Sequence, residues 1–246
     1  MKEFIYDSTF EGLLTVIFYA YPCKEKCIIT KNKNYIPSLL NEIKEIKTET
    51  DKFNRVYNSI KNKLSINTLQ NIYYLYLSEI QNCDTLILKY IKLCFSYGDK
   101  INLAKNNDII LLVDKYCRKV TLEAQRICGF VRFREISPLT FYASIEPDHN
   151  ILPLIMNHFT KRFSNQNFII HDTKRNIAII YNKELSIISD FSYEYYKKLI
   201  SSNKSSEFEL LWKTFYKAIN ISDRKNLKQR NGYMPKRYWK NLNELQ

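Results

Sequence analysis

The amino-acid sequence predicts an α+β protein, with a helical N-terminal half packed against an antiparallel sheet of about five strands in the second half. Apolar residues repeat at helical spacing through most of the first 128 positions. From Gly129 onward they alternate with polar or basic residues at period two. Only four glycines and six prolines interrupt the 246 residues, so the chain consists mostly of regular elements.

Residues 3–6 read as a short strand. Asp7 or Thr9 can cap a helix over about 9–21, where Phe10, Leu13, Leu14, Ile17, Phe18 and Tyr21 share a face. TDKFNRVYNSIKNKL, TLQNIYYLYLSEI, CDTLILKYIKLCFSY and a long segment near 105–128 keep the helical period, separated by polar breaks. GFVRFREI and LTFYASIEP then form a hairpin about a Ser137-Pro138 turn, with Arg132 and Arg134 on one face of the first strand and Val131 and Phe133 on the other. A helix over about 151–163 precedes three more short strands, NFIIHD, RNIAIIYN and ELSIIS. Near the end, FELLWKTFYKAI at 208–219 is an amphipathic helix. Residues 1–246 read as one domain, a helical layer over about 1–128 and a sheet with basic C-terminal helices over about 129–246.

With 45% apolar and 26% charged residues, the chain is neither disordered nor fibrous. Glu3, Asp7 and Glu11 occupy the region where an export signal needs a basic flank and an apolar core. The longest apolar runs, such as IILLV at 109–113, fall far short of the roughly 20 residues that cross a bilayer, so a cytoplasmic protein without membrane contact is expected. Six scattered cysteines then read as reduced, mostly buried thiols. Cys23 and Cys27 carry two positions of the Cys-x3-Cys-x2-Cys cradle of a radical S-adenosylmethionine cluster, but Thr30 stands at the third. No metal site and no cofactor of the chain's own is expected.

The net charge of +13 is unevenly divided, at +3 for residues 1–115 and +10 for 116–246. The densest stretch, 212–240, interleaves lysines and arginines with Tyr216, Tyr233, Tyr238 and Trp239. Such a pattern suits a polyanion with exposed bases, because cations neutralise phosphate and aromatic faces accept unstacked bases. His158, Lys161 and Arg162 lie within one helical turn, and His171-Asp172 closes a strand before Lys174 and Arg175. A histidine beside an aspartate can act as an oriented general base, which makes His158, His171 and Asp172 candidate catalytic groups. Asp7 and Glu11, four apart, are candidate helpers, with helix capping as the alternative.

YDSTFEGLLTVIFYAY at 6–21, GFVRFREI at 129–136, Pro147-Asp148-His149, HFTKRF at 158–163, FIIHDTKR at 168–175, ISDRKN at 221–226 and MPKRYWKNLNE at 234–244 resemble the bacterial DNA metabolism and repair family built around the DUF4130 domain. Members accompany a radical S-adenosylmethionine protein of DNA modification or repair, and a similar domain also precedes a uracil-DNA-glycosylase-like domain. Ser8 stands where that family usually has glycine. The chain closes at Gln246 with no glycosylase-like domain, so that activity is not carried over. The resemblance implies a DNA-binding accessory of the radical enzyme. On this reading Arg132, Arg134, Lys161, Arg162 and Arg175 bind phosphates, and Arg224, Lys236 and Arg237 extend the groove. Tyr238 or Trp239 stacks on a base or pins the tail. The alternatives are a stand-alone enzyme on damaged DNA, nuclease or base-removing, and a pure protein-interaction module.

Overall fold

The computed structural model describes residues 2–23, 25–35, 41–192, 194, 211, 214 and 226–242. The helix expected over 208–219, Leu211 and Thr214 apart, and Arg224 lie outside the described residues. The chain divides into two compact units, Met1–Thr121 and Leu122–Gln246.

In the first unit, β1 (Lys2–Tyr6) lies between β2 (Cys27–Lys31) and β3 (Glu42–Glu45) and runs parallel to both. A parallel pair needs a crossover, and α1 (Phe10–Ala20) supplies the one from β1 to β2. Thr9 is its N-cap, accepting the Gly12 N–H at 2.9 Å on Oγ1. Then come α2 (Thr50–Lys63), α3 (Ile66–Ser78), α4 (Cys83–Tyr97) and α5 (Asp108–Phe130), whose course contains the boundary between the units. Leu13, Leu14 and Ile17 of α1 bury fully or nearly so, with Ile60, Ile72, Leu75, Ile87 and Ile91 of the next three helices. Each such side chain contributes about 1.5–3 kcal/mol. The helical layer is therefore present, but it carries a small sheet that periodicity does not reveal. β3 has only the exposed EIKE, and β2 is one β-branched run beside a cysteine.

The second unit is built on a five-stranded sheet of order β4-β5-β6-β7-β8: Arg134–Ser137, Thr140–Ile145, Asn167–Asp172, Ile177–Tyr181 and Ser186–Asp190. The strands match the expectation closely, with two corrections. β5 and β6 pair in parallel, because α6 (Leu152–Arg162) crosses between them, so the sheet is mixed rather than antiparallel throughout. α5 also continues through Gly129 to Phe130, and β4 begins only at Arg134. Arg132 consequently precedes the strand, and the shared strand face expected for Arg132 and Arg134 is not formed.

On one sheet face, Phe168 of β6 packs with Phe133, Phe159 and Phe163, at ring separations of 6.0, 6.5 and 6.1 Å. On the other, Tyr142 and Ala178 pack with Ile136 and Phe191. The C-terminal elements are α7 (Leu227–Tyr233), capped by Asn226 on the Gln229 N–H at 2.9 Å, and a 3-10 turn over Lys236–Asn241. Ser144 on β5 donates to Asn241 at 3.4 Å.

Candidate nucleic-acid interface

Three segments distant in sequence meet in the second unit around the loop Pro147-Asp148-His149 that follows β5. Beneath the loop lies Glu123 on α5, with a side-chain exposure of only 1%. Its Oε1 accepts the Asp148 N–H at 3.0 Å and the Tyr238 hydroxyl at 2.8 Å, and its Oε2 accepts the His149 N–H at 2.9 Å. Arg237 adds a fourth donor from Nη2 at 3.1 Å and also pairs with Asp148. A buried carboxylate is tolerated when its lone pairs are filled by donors and a cation stands beside it, as here.

The β6–β7 turn reaches the same loop. Arg175 donates to Asp172 at 2.8 Å and to the carbonyls of Pro147 and Asp148 at 3.2 and 2.8 Å. Asp172 is fully buried and also accepts the backbone N–H groups of Lys174 and Arg175, which fixes the turn. Burial pushes its carboxyl up, opposed by Arg175 and by those two N–H groups. Lys174 donates to the Asp148 carbonyl at 3.3 Å.

Above this frame, Lys174, Lys236, Arg237 and Lys240 line an open cleft of about 450 Å³ together with Glu146 and Asp148. Lys240 pairs with Glu146, and Arg237 with Asp148. Glu146 and Asp148 are both more than a third exposed, and ion pairs in such settings contribute about 0–1 kcal/mol, so a phosphate oxygen can replace a carboxylate at little cost. Trp239 sits beside the cleft. Its Nε1 donates to the Met234 carbonyl at 3.0 Å, and Arg230 and Lys236 lie 4.5 and 6.0 Å from its ring centroid.

The other residues singled out by sequence take varied places. Tyr238 is 2% exposed and packs near Phe130, so it pins the tail to the unit. Arg132 donates to the carbonyls of Gly129 and Val131 at the end of α5, and Arg134 lies 5.2 Å from the Tyr142 ring centroid. Lys161 and Arg162 are exposed at the end of α6.

His171 is buried in β6, bonded through Nδ1 to the Tyr142 hydroxyl at 2.9 Å, and burial holds its pKa below the usual imidazole value. His158 is exposed on α6. Asp7 and Glu11 serve α1 in the first unit. The Asp7 carboxylate accepts the Thr9 N–H and hydroxyl at 3.0 and 2.7 Å and the Thr48 hydroxyl at 2.6 Å. Burial works against its charge, yet the bonds from Thr48 and Thr9 hold its pKa below the ordinary value. Glu11 is exposed in the first turn, where a negative charge favours the helix.

Glu123 was missed by sequence reasoning. Its signal was present: with Tyr116, Val120 and Ile127 it falls at helical spacing on a stripe that is otherwise apolar or aromatic. Among the described residues, no group of three or more His, Cys, Asp or Glu is placed to hold a metal ion, and the six cysteines are free thiols. No helix among them is long and apolar enough to cross a membrane.

The family model of a domain of unknown function, DUF4130, matches residues 81–244, which takes in α4, α5 and nearly all of the second unit. The resembling segment at 6–21 lies outside that match. Neither a curated protein nor a solved structure matches the chain.

Proposed function

The chain belongs to the DUF4130 family, and from that premise we propose that it is a nucleic-acid-binding accessory in DNA repair or DNA metabolism, acting with a radical S-adenosylmethionine enzyme. One observation carries the reading: Lys174, Lys236, Arg237 and Lys240 converge on one open cleft against two solvent-reachable carboxylates. Lysines bind phosphate as mobile point charges. Arg237, anchored from below by Glu123, holds a fixed orientation, so its remaining donors can orient a strand rather than merely attract it. Trp239, between Arg237 and Lys240 in the chain and with Arg230 over one face of its ring, is the aromatic side chain proposed to stack on a base from beside the cleft. Lys161 and Arg162 close α6, whose first turn follows the 147–149 loop, so they stand about 15 Å along the helix from the cleft and are not part of its lining. The protein works in the cytosol and brings no cofactor of its own, the cluster chemistry belonging to the companion enzyme.

The test is fluorescence anisotropy of the full chain with single- and double-stranded oligonucleotides over a salt series. Arg175 and Arg237 hold the 147–149 loop by several short bonds and Lys174 only by one at 3.3 Å, so the informative substitutions are Lys236→Ala and Lys174→Ala, each checked for an unchanged thermal melt. Removing one lysine–phosphate pair should reduce the magnitude of the salt slope by about one. No binding at low salt, or an unchanged slope in the doubly substituted chain, would overturn the nucleic-acid reading. Failure of the companion enzyme to co-purify, with or without DNA, would overturn the accessory role.

A further inference from the structure

In the first unit, α1, α2 and α4 leave a groove of about 460 Å³ between them, within the size range of small-ligand sites. Ile17 and Phe18 of α1 and Ile91 and Phe95 of α4 line its apolar side, and Arg55 and Lys63 line it from α2. Arg55 and Lys52 lie 5.1 and 4.9 Å from the Phe18 ring centroid, and Lys92 lies 5.8 Å from that of Tyr21. No carboxylate lines the groove among the described residues.

We propose that this groove binds an apolar carboxylate of the fatty-acid class, with its chain along α1 and α4 and its carboxylate at Arg55. Charge complementarity selects an anion, because the cations at the rim meet no acid across the groove among the described residues. The guanidinium of Arg55, 5.1 Å from the Phe18 ring centroid, has planar edge donors, which match a carboxylate through two bonds. The apolar side selects a hydrocarbon body over a nucleobase, since Ser59 and Tyr21 are the only uncharged side chains of the described lining that offer hydrogen bonds, and base edges would go unsatisfied. Size selects an extended chain over a docked helix. A helix is about 10–12 Å across with its side chains, and a groove of this volume seats little more than one turn of it.

Isothermal titration of the full chain with dodecanoate below its micelle concentration tests the assignment. One saturable site is expected, with affinity lowered about tenfold or more by Arg55→Gln, as befits removal of a charge-assisted pair. Ser59 is half-buried on α2 and lines the groove, so Ser59→Trp fills it and should abolish binding. Thermal melts matching the wild type establish that both variants fold. Dodecanol binding as well as dodecanoate, equal affinity for dodecyltrimethylammonium, or undiminished binding by Ser59→Trp would each overturn the proposal. Displacement of dodecanoate by deoxyadenosine monophosphate at similar concentration would overturn it in favour of a nucleotide site.

Discussion

Ser8 holds a φ of 69°, in the left-handed region that a side chain enters at a cost and glycine enters freely. It sits between Asp7, whose carboxylate folds back over the start of α1, and the cap residue Thr9. The approach is so close that a Cβ on Gly12 would stand 2.1 Å from Asp7 Oδ1. The reversal is thus imposed by the Asp7 bonds to Thr9 and Thr48, and Ser8 adapts to it. The Tyr76 hydroxyl, 2.9 Å from the Ser8 carbonyl, fixes the same turn from α3. Ser8→Gly should therefore stabilise the protein by about 0.5–1 kcal/mol, the relieved left-handed strain exceeding the flexibility added to the unfolded chain. Urea denaturation measures it, and a loss of stability would show that the Ser8 side chain holds the turn by a bond of its own.

At the scale of elements, the second unit depends on one carboxylate joining α5, the 147–149 loop and the C-terminal turn. Removing Glu123 leaves the Tyr238 hydroxyl and two backbone N–H groups without their acceptor, while Arg237 keeps Asp148. Glu123→Ala should cost about 3–5 kcal/mol, because two backbone N–H groups and the buried Tyr238 hydroxyl lose their acceptor at about 1–3 kcal/mol each. Arg237→Ala should cost less, because three donors to Glu123 remain. The double variant should fall short of the sum, since both single changes remove the same bond. Chemical denaturation of the three variants checks the cycle, and strict additivity would mean that the two residues act separately. The elements themselves were largely legible in the sequence. α1, α6, β6 and β7 follow from apolar repeats and runs bounded by polar residues, although α1 is buried around most of its circumference and β6 and β7 on both faces. The end of α5 was not legible. Gly129 reads as a break, yet it has open space around it and a helical backbone, and Arg132 closes the helix beyond it. The parallel β5–β6 pair was hidden for a different reason, since strand direction is set by the α6 crossover rather than by the strand residues. Glu123 stands out on an apolar stripe of α5, but its partners do not, because its donors lie 25 to 115 positions along the chain and no local pattern announces them.

Over the whole molecule, charge is the property that the sequence states most directly and the structure divides most usefully. The +10 of residues 116–246 is matched by a cleft lined with four cations in the second unit, while the first unit presents its cations over an apolar groove. These two settings suit different anions, a flexible polyphosphate in one and a single carboxylate with a hydrocarbon body in the other. Lysine acylation read by mass spectrometry can distinguish them in one experiment on the full chain. With a DNA oligonucleotide bound, Lys174, Lys236 and Lys240 should be protected, while Lys52, Lys63 and Lys92 keep their reactivity. With dodecanoate the pattern should reverse at Lys63, and the cleft lysines should react as in the free protein. Raising the salt should erase the first footprint much more than the second, because the first depends on displaced counterions and the second on a buried hydrocarbon chain. Protection of Lys52, Lys63 and Lys92 by DNA would place the strand on the first unit and overturn both assignments together. Protection spread evenly over all lysines would mean that net charge alone, with no organised cleft, accounts for the attraction.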